Sequence, residues 1–267
     1  MSETEPQFQN VGEGARQRRI AFIASPGREA ARPSLVWLAG LKSDMISTKA
    51  AALAAWAAER DLAMTRFDYS GHGRSSGRFE DAVVGDWLEE ARAVFTRITR
   101  GPQILVGSST GGHVALLLLR ELLATAPEEA ARIAALVLIA PAWDLTEELM
   151  WNEFDAEARR ELMENGVFHR PSAYGEPYTI TRRFIEEGRN HLFAGRPFDP
   201  GRPVVILQGV QDADVPVAHA RRLAGFLTGG WARLIEVADG EHRMSRPQDL
   251  ALLFDEIGKL VDGGGTR

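Results

Sequence analysis

Cysteine is absent from this chain of 267 residues, which removes a thiol nucleophile, a Cys-x-x-Cys redox pair, a disulfide frame and a thiolate metal site together. Long apolar runs are absent too. The longest, 114–119 and 134–142, fall far short of the roughly 18 residues that a membrane span needs. Positive charge is nowhere concentrated: 31 Lys and Arg stand against 37 Asp and Glu for a net charge of −6, and the pairs Arg18-Arg19, Arg182-Arg183 and Arg221-Arg222 lie far apart. A phosphate backbone finds no basic stripe here, so nucleic acid is not an expected partner. The first 19 residues, MSETEPQFQNVGEGARQRR, are polar and lack the apolar segment of a targeting signal. The expectation is a soluble, uncleaved, cytoplasmic protein with no membrane span. What is present, 45% apolar and 25% charged residues, is the composition of a globular chain able to bury a large core.

Short apolar runs alternate with amphipathic stretches. Residues 20–24, 35–39, 63–69, 103–107, 135–140, 203–208 and 232–237 read as strands. Residues 48–60, 79–99, 111–126, 217–228 and 247–261 read as helices; the second places Val83, Val84, Trp87, Leu88, Ala91, Val94, Phe95 and Ile98 at the three-to-four spacing of one buried face. Such alternation predicts an α/β fold, a mainly parallel sheet flanked by helices on both faces, with chemistry in the loops that follow the strands. One segment breaks the rhythm. Residues 143–202 separate two core strands by far more than a crossover needs, and 147–165 and 180–193 look helical. The expected organisation is a core of 1–142 and 203–267 with a helical cap insertion at 143–202.

The strongest local signal is Gly107-Ser108-Ser109-Thr110-Gly111, directly after Ile104-Leu105-Val106 and directly before an apolar helix. This is a Gly-x-Ser-x-Gly elbow in the strand-to-helix context it requires, which makes Ser109 the candidate nucleophile. A second match, Gly73-Arg74-Ser75-Ser76-Gly77, follows its strand only after five further residues, so it reads as a glycine-rich loop. A serine needs a base, and the base needs an acid that fixes its tautomer. Both follow in chain order: Asp212 in the first turn after 204–207, and His242 in Asp239-Gly240-Glu241-His242-Arg243-Met244 after 234–237. Asp214 competes with Asp212 for the acid role. Of the six histidines, His72 reads as a loop hydrogen-bonding residue, His113 as packing behind the elbow, and His169, His191 and His219 as cap or helix-surface residues. No His-Glu-x-x-His spacing occurs, so no zinc site is expected. An oxyanion needs two backbone N–H groups: Thr110 follows the nucleophile, and Leu41 follows the strand 35–39 and its turn at Gly40.

With these segments assembled, the chain resembles the α/β-hydrolase superfamily over almost its whole length. Within that superfamily it resembles the bacterial relatives of the mitochondrial α/β-hydrolase domain-containing protein ten, a palmitoyl-protein thioesterase and acyl-glucuronide esterase. The matching segments are Gly40-Leu41-Lys42-Ser43-Asp44-Met45 with Thr48-Lys49-Ala50, Arg66-Phe67-Asp68-Tyr69-Ser70-Gly71-His72-Gly73, Gly107 to Gly112, Gln208-Gly209 through Asp212 to Val215-Pro216, and Gly240-Glu241-His242-Arg243-Met244. Ala39-Gly40 and Gln208-Gly209 stand where many relatives have His-Gly, and Thr110 replaces a common Leu or Met. The resemblance implies a serine hydrolase, of carboxylesterase or acyl-protein thioesterase type, that works through an acyl-Ser109 intermediate without a cofactor. Its implied substrate is a small-molecule or acylated-protein ester or thioester. Trp143, Met150, Phe154 and Phe184, with Trp151 and Tyr178, are the expected apolar wall, Trp143 setting acyl length; Lys42 and Arg243 are placed to meet an anionic leaving group. The triad does not separate esterase from thioesterase or lactonase. An acyltransferase, a cofactor-free haloperoxidase and a non-catalytic binding protein of the same fold are the alternatives, while Ser109 excludes the chemistries that need a carboxylate nucleophile.

Overall fold

The computed structural model describes residues 5–28, 32–171 and 177–263. Its strands are β1 (Gln7–Val11), β2 (Arg18–Ser25), β3 (Ser34–Leu38), β4 (Met64–Phe67), β5 (Gln103–Ser108), β6 (Ile133–Ile139), β7 (Val167–Arg170), β8 (Tyr178–Thr181), β9 (Val204–Gly209) and β10 (Ala232–Val237). The helices are α1 (Thr48–Glu59), α2 (Val84–Arg97), α3 (Thr110–Thr125), α4 (Pro127–Ala131), α5 (Ala156–Asn165), α6 (Arg182–Gly188), α7 (Val217–Phe226) and α8 (Pro247–Val261). Eight strands form one sheet in the order β1-β2-β4-β3-β5-β6-β9-β10. From β4 to β10 neighbours run parallel, while β1 and β2 pair antiparallel with each other, and β2 with β4, at one edge.

The centre of the sheet is apolar on both faces, as strands covered by helices on both sides must be. Every residue of β5 and β9 is buried, and β6 reads Ile-Ala-Ala-Leu-Val-Leu-Ile. Residues 110–119 of α3 are buried around the whole helix circumference, so α3 is a core element and each fully buried Leu or Val in it contributes roughly 1.5–3 kcal/mol. Helix α8 has one apolar face. It begins with Pro247 behind Arg246, whose N–H donates to the Asp249 carboxylate.

Two sequence expectations are corrected here. The amino-terminal stretch, read as polar and given no strand, contains β1, whose residues Gln7, Phe8, Gln9 and Asn10 leave it mostly exposed at the sheet edge; an edge strand needs little apolar residue and so leaves a weak trace. The segment between β6 and β9 is not purely helical. It holds a π-helical turn (Thr146–Trp151), α5, the antiparallel hairpin β7–β8 and α6. Its two ends are pinned together: the Asp144 carboxylate accepts from the N–H groups of Phe193 (2.8 Å) and Ala194 (2.9 Å), and Arg120 donates to the Leu192 carbonyl at 2.9 Å.

Candidate active site

Strand β5 ends at Ser108, and Ser109 then takes φ 53°, ψ −118° before α3 starts at Thr110. A non-glycine residue there is strained, at a cost of order 1–3 kcal/mol, and the neighbours over-determine it. The Ser109 N–H donates to the Ile139 carbonyl at 2.8 Å, while its carbonyl accepts from Gly112 and Ala142. The two flanking glycines are required by close approach. A β-carbon on Gly107 would lie 2.5 Å from the Gly111 carbonyl oxygen, and one on Gly111 would lie 2.6 Å from that of Ala39.

The loops after β9 and β10 bring the two candidates, Asp212 and His242, together. Asp212 is buried and its carboxylate accepts four hydrogen bonds: Oδ1 from the N–H groups of Asp214 (2.9 Å) and Val215 (2.8 Å), Oδ2 from Gln208 Nε2 (3.0 Å) and His242 Nδ1 (2.9 Å). The last bond puts the imidazole proton on Nδ1 and leaves Nε2 as the acceptor. Asp212 is therefore the carboxylate placed on His242, whereas Asp214 contributes its backbone to Asp212 and lines the cavity. Asp212, Asp214 and His242 also form the one cluster of metal-ligand type among the described residues, with one ligand atom each within 4.8 Å of the others. Both oxygens of Asp212 are already committed, so an ion would have to displace one of those four donors.

Opposite the elbow, the loop after β3 presents the backbone of Leu41. Among the described residues the N–H groups of Leu41 and Thr110 donate to no protein acceptor. The loop is braced from 68–75. The Lys42 N–H donates to His72 Nε2 at 3.0 Å and His72 Nδ1 donates to the Ser70 carbonyl at 3.1 Å, while burial pushes the His72 pKa down and keeps the ring neutral. The Asp68 carboxylate accepts from the N–H groups of Met45 (2.7 Å) and Arg74 (2.8 Å). Ser75, the other Gly-x-Ser-x-Gly serine, donates to the Asp68 carbonyl at 2.6 Å and accepts from the Ala21 N–H at 2.8 Å. Its hydroxyl is used up as a brace.

Ser109, Thr110, Leu41 and His242 line one cavity of about 420 Å³, with Met150, Tyr178, Lys42, Arg243 and Asp214 also in its wall. The expected wall is corrected at four positions. Trp143 is buried behind it, stacked on His219 and Phe226 with its indole N–H on the His219 carbonyl at 3.1 Å. Phe154 packs on Phe168 inside the insertion, Phe184 packs on Trp87 at the seam between the insertion and α2, and Trp151 also lies outside the wall. His219 is likewise no surface residue: it is buried, its Nε2 donates to the Trp143 carbonyl at 2.8 Å, and burial pushes its pKa down to about 4. Lys49, Arg170, Leu145 and Leu149, which the sequence reading did not place at the site, line the cavity. The signal that could have found Lys49 is its place in the Thr48-Lys49-Ala50 segment.

A family model described as serine aminopeptidase, S33, matches residues 30–172. The chain is 33% identical over 232 residues to the palmitoyl-protein thioesterase ABHD10, mitochondrial, of Pongo abelii, spanning 86% of this chain and 73% of that one. Among solved structures, a putative hydrolase from Agrobacterium vitis S4 superposes with a TM-score of 0.93 at 41% identity, over 96% of this chain and 98% of that one. The mouse alpha/beta hydrolase domain-containing protein 10 superposes with a TM-score of 0.83 at 29% identity, over 96% and 99%. The Pongo abelii relative is named as mitochondrial, whereas the sequence reading expects a cytoplasmic protein. Among the described residues no helix is long and apolar enough to cross a membrane.

Proposed function

Because the chain belongs to the hydrolase family described as serine aminopeptidase, S33, and has the α/β-hydrolase fold, we propose that it cleaves carboxylic esters or thioesters of acyl groups through an acyl-Ser109 intermediate. The observation that carries this reading is the convergence of four parts on one cavity: the strained Ser109, the imidazole of His242 oriented by Asp212, and the undonated N–H groups of Leu41 and Thr110.

In this mechanism His242 Nε2 takes the Ser109 hydroxyl proton as Oγ attacks the acyl carbonyl carbon. The oxyanion gathers charge in the transition state, where the Leu41 and Thr110 amides and the amino-terminal end of α3 hold it. The imidazolium, stabilised by Asp212, returns its proton to the departing alkoxide or thiolate. Water then attacks acyl-Ser109 with His242 again as base, which releases the carboxylic acid and restores the hydroxyl. Every proton is accounted for by the imidazole, so the reaction needs no cofactor.

Met150, Leu145 and Leu149 supply the apolar wall on the acyl side, and Lys42, Lys49, Arg170 and Arg243 outnumber Asp214 among the charged wall residues. That balance favours a substrate whose leaving group carries negative charge. The relative's name as a palmitoyl-protein thioesterase supports acyl thioesters as the first class to try. Turnover of acyl thioesters and p-nitrophenyl esters across chain lengths, compared with Ser109→Ala, tests the reading. Hydrolysis lost in Ser109→Ala supports it, and a folded native protein inert to every acyl ester and thioester overturns it.

A further inference from the structure

The His242 loop is strained one residue beyond its neighbour. Met244 is buried and adopts φ 45°, a conformation that non-glycine residues rarely hold without support from outside. The peptide that this φ swings on, between Arg243 and Met244, is gripped from across the cavity: Lys49 Nζ, projecting from the first turn of α1, donates to the Arg243 carbonyl at 2.5 Å, with Ser245 Oγ 3.5 Å away. We propose, resting on the hydrolase reading above, that Lys49 is a positioning residue, its ammonium fixing the Arg243–Met244 peptide and through it the placement of the His242 imidazole against Ser109.

The surroundings say that this cation is kept at a cost to folding. Desolvation pushes its pKa from the ordinary 10.5 down to about 8, and Arg243 pushes in the same direction. It also sits at the positive end of the α1 dipole. Glu241 and Asp249 oppose these effects, and the other charged or titratable side chains that share its cavity are Lys42, Arg170, Tyr178, Asp214 and His242. With a folded pKa below the unfolded one, the unfolded chain binds more protons between those two values. The penalty on stability is therefore full below pH about 8 and is relieved as pH rises toward 10.5. A side chain that merely packed would gain by being neutral at every pH.

The test measures the rate at which a fluorophosphonate labels Ser109, from pH 6 to 10, in the native protein, Lys49→Met and Lys49→Arg, with melting temperatures alongside. In the native protein the rate should fall above pH about 8, as the ammonium becomes a weaker donor amine. Lys49→Met should label about 10- to 100-fold more slowly at neutral pH, the scale of an ångström-sized misplacement, lose the alkaline fall, and melt no lower than native. Lys49→Arg, a cation at every pH tested, should label near the native rate without the fall. A Lys49→Met protein that labels at the native rate overturns the proposal. So does one that melts lower, labels more slowly by one factor at every pH and keeps the native fall, because that is the behaviour of a structural residue. A folded native protein that does not label at all overturns the hydrolase reading and this role with it.

Discussion

Replacing Asp212 by Asn keeps the shape of the side chain and reverses half of its hydrogen bonding. The N–H groups of Asp214 and Val215 hold Oδ1 at 2.9 and 2.8 Å, so the asparagine oxygen must stay there and its NH2 must occupy the Oδ2 position. Two donors already point at that position, Gln208 Nε2 at 3.0 Å and His242 Nδ1 at 2.9 Å. Gln208 is fully buried, and its Nε2 can still reach the Val215 carbonyl at 2.9 Å, so that conflict costs about 1–3 kcal/mol of stability. The imidazole has no such escape. It must move its proton to Nε2 to accept from the new NH2, and that is the nitrogen needed as base. The expected loss is about 10⁴-fold in kcat, about 5 kcal/mol of transition-state stabilisation. The assay is kcat and KM on a short-chain p-nitrophenyl ester, with Asp214→Asn as control; its backbone bond to Asp212 survives, so its kcat should stay within about tenfold of native. An Asp212→Asn protein within tenfold of native, or an Asp214→Asn protein damaged more than Asp212→Asn, would refute the reasoning.

Burial holds the pKa of His113 at about 3 and that of His219 at about 4, against an ordinary 6.5. The unfolded chain therefore gains protons first on acidification. Stability should be full above pH 6.5 and fall toward pH 4, at up to about 1.4 kcal/mol per pH unit for each histidine, and urea midpoints should show a shallower fall in His219→Gln. Trp143→Ala should cost about 3–5 kcal/mol by thermal or urea melting, with the acyl-length profile of kcat/KM unchanged, because Trp143 packs on Phe226 and His219 outside the cavity wall. Met150→Ala should instead move that profile toward longer chains, since Met150 does line the cavity.

The parts of the site that lie next to strong strands were legible in the sequence, because a buried parallel strand needs a continuous apolar run and the functional turn follows it at once. Ser109 after β5 and Asp212 after β9 are of this kind. The elements that escaped are those whose own residue pattern is weak or ambiguous. Strand β1 is a polar edge, and β7–β8 is a short hairpin whose Val, Phe, Tyr and Ile residues also suit a helix face. Trp143 follows a core strand as Ser109 and Asp212 do, yet the strained turns at Ala140 and Asp144 accompany an indole buried against α7, and one-dimensional position carries no such direction. Lys49 reaches a loop that is 194 residues away. No local pattern encodes that.

Whether Ser109 is the nucleophile is read from the site of a fluorophosphonate adduct, mapped by peptide mass spectrometry in the native protein, Ser109→Ala and Ser75→Ala. The account predicts one adduct, on Ser109, present in Ser75→Ala and gone in Ser109→Ala. An adduct on Ser75, or labelling that persists in Ser109→Ala, would contradict it.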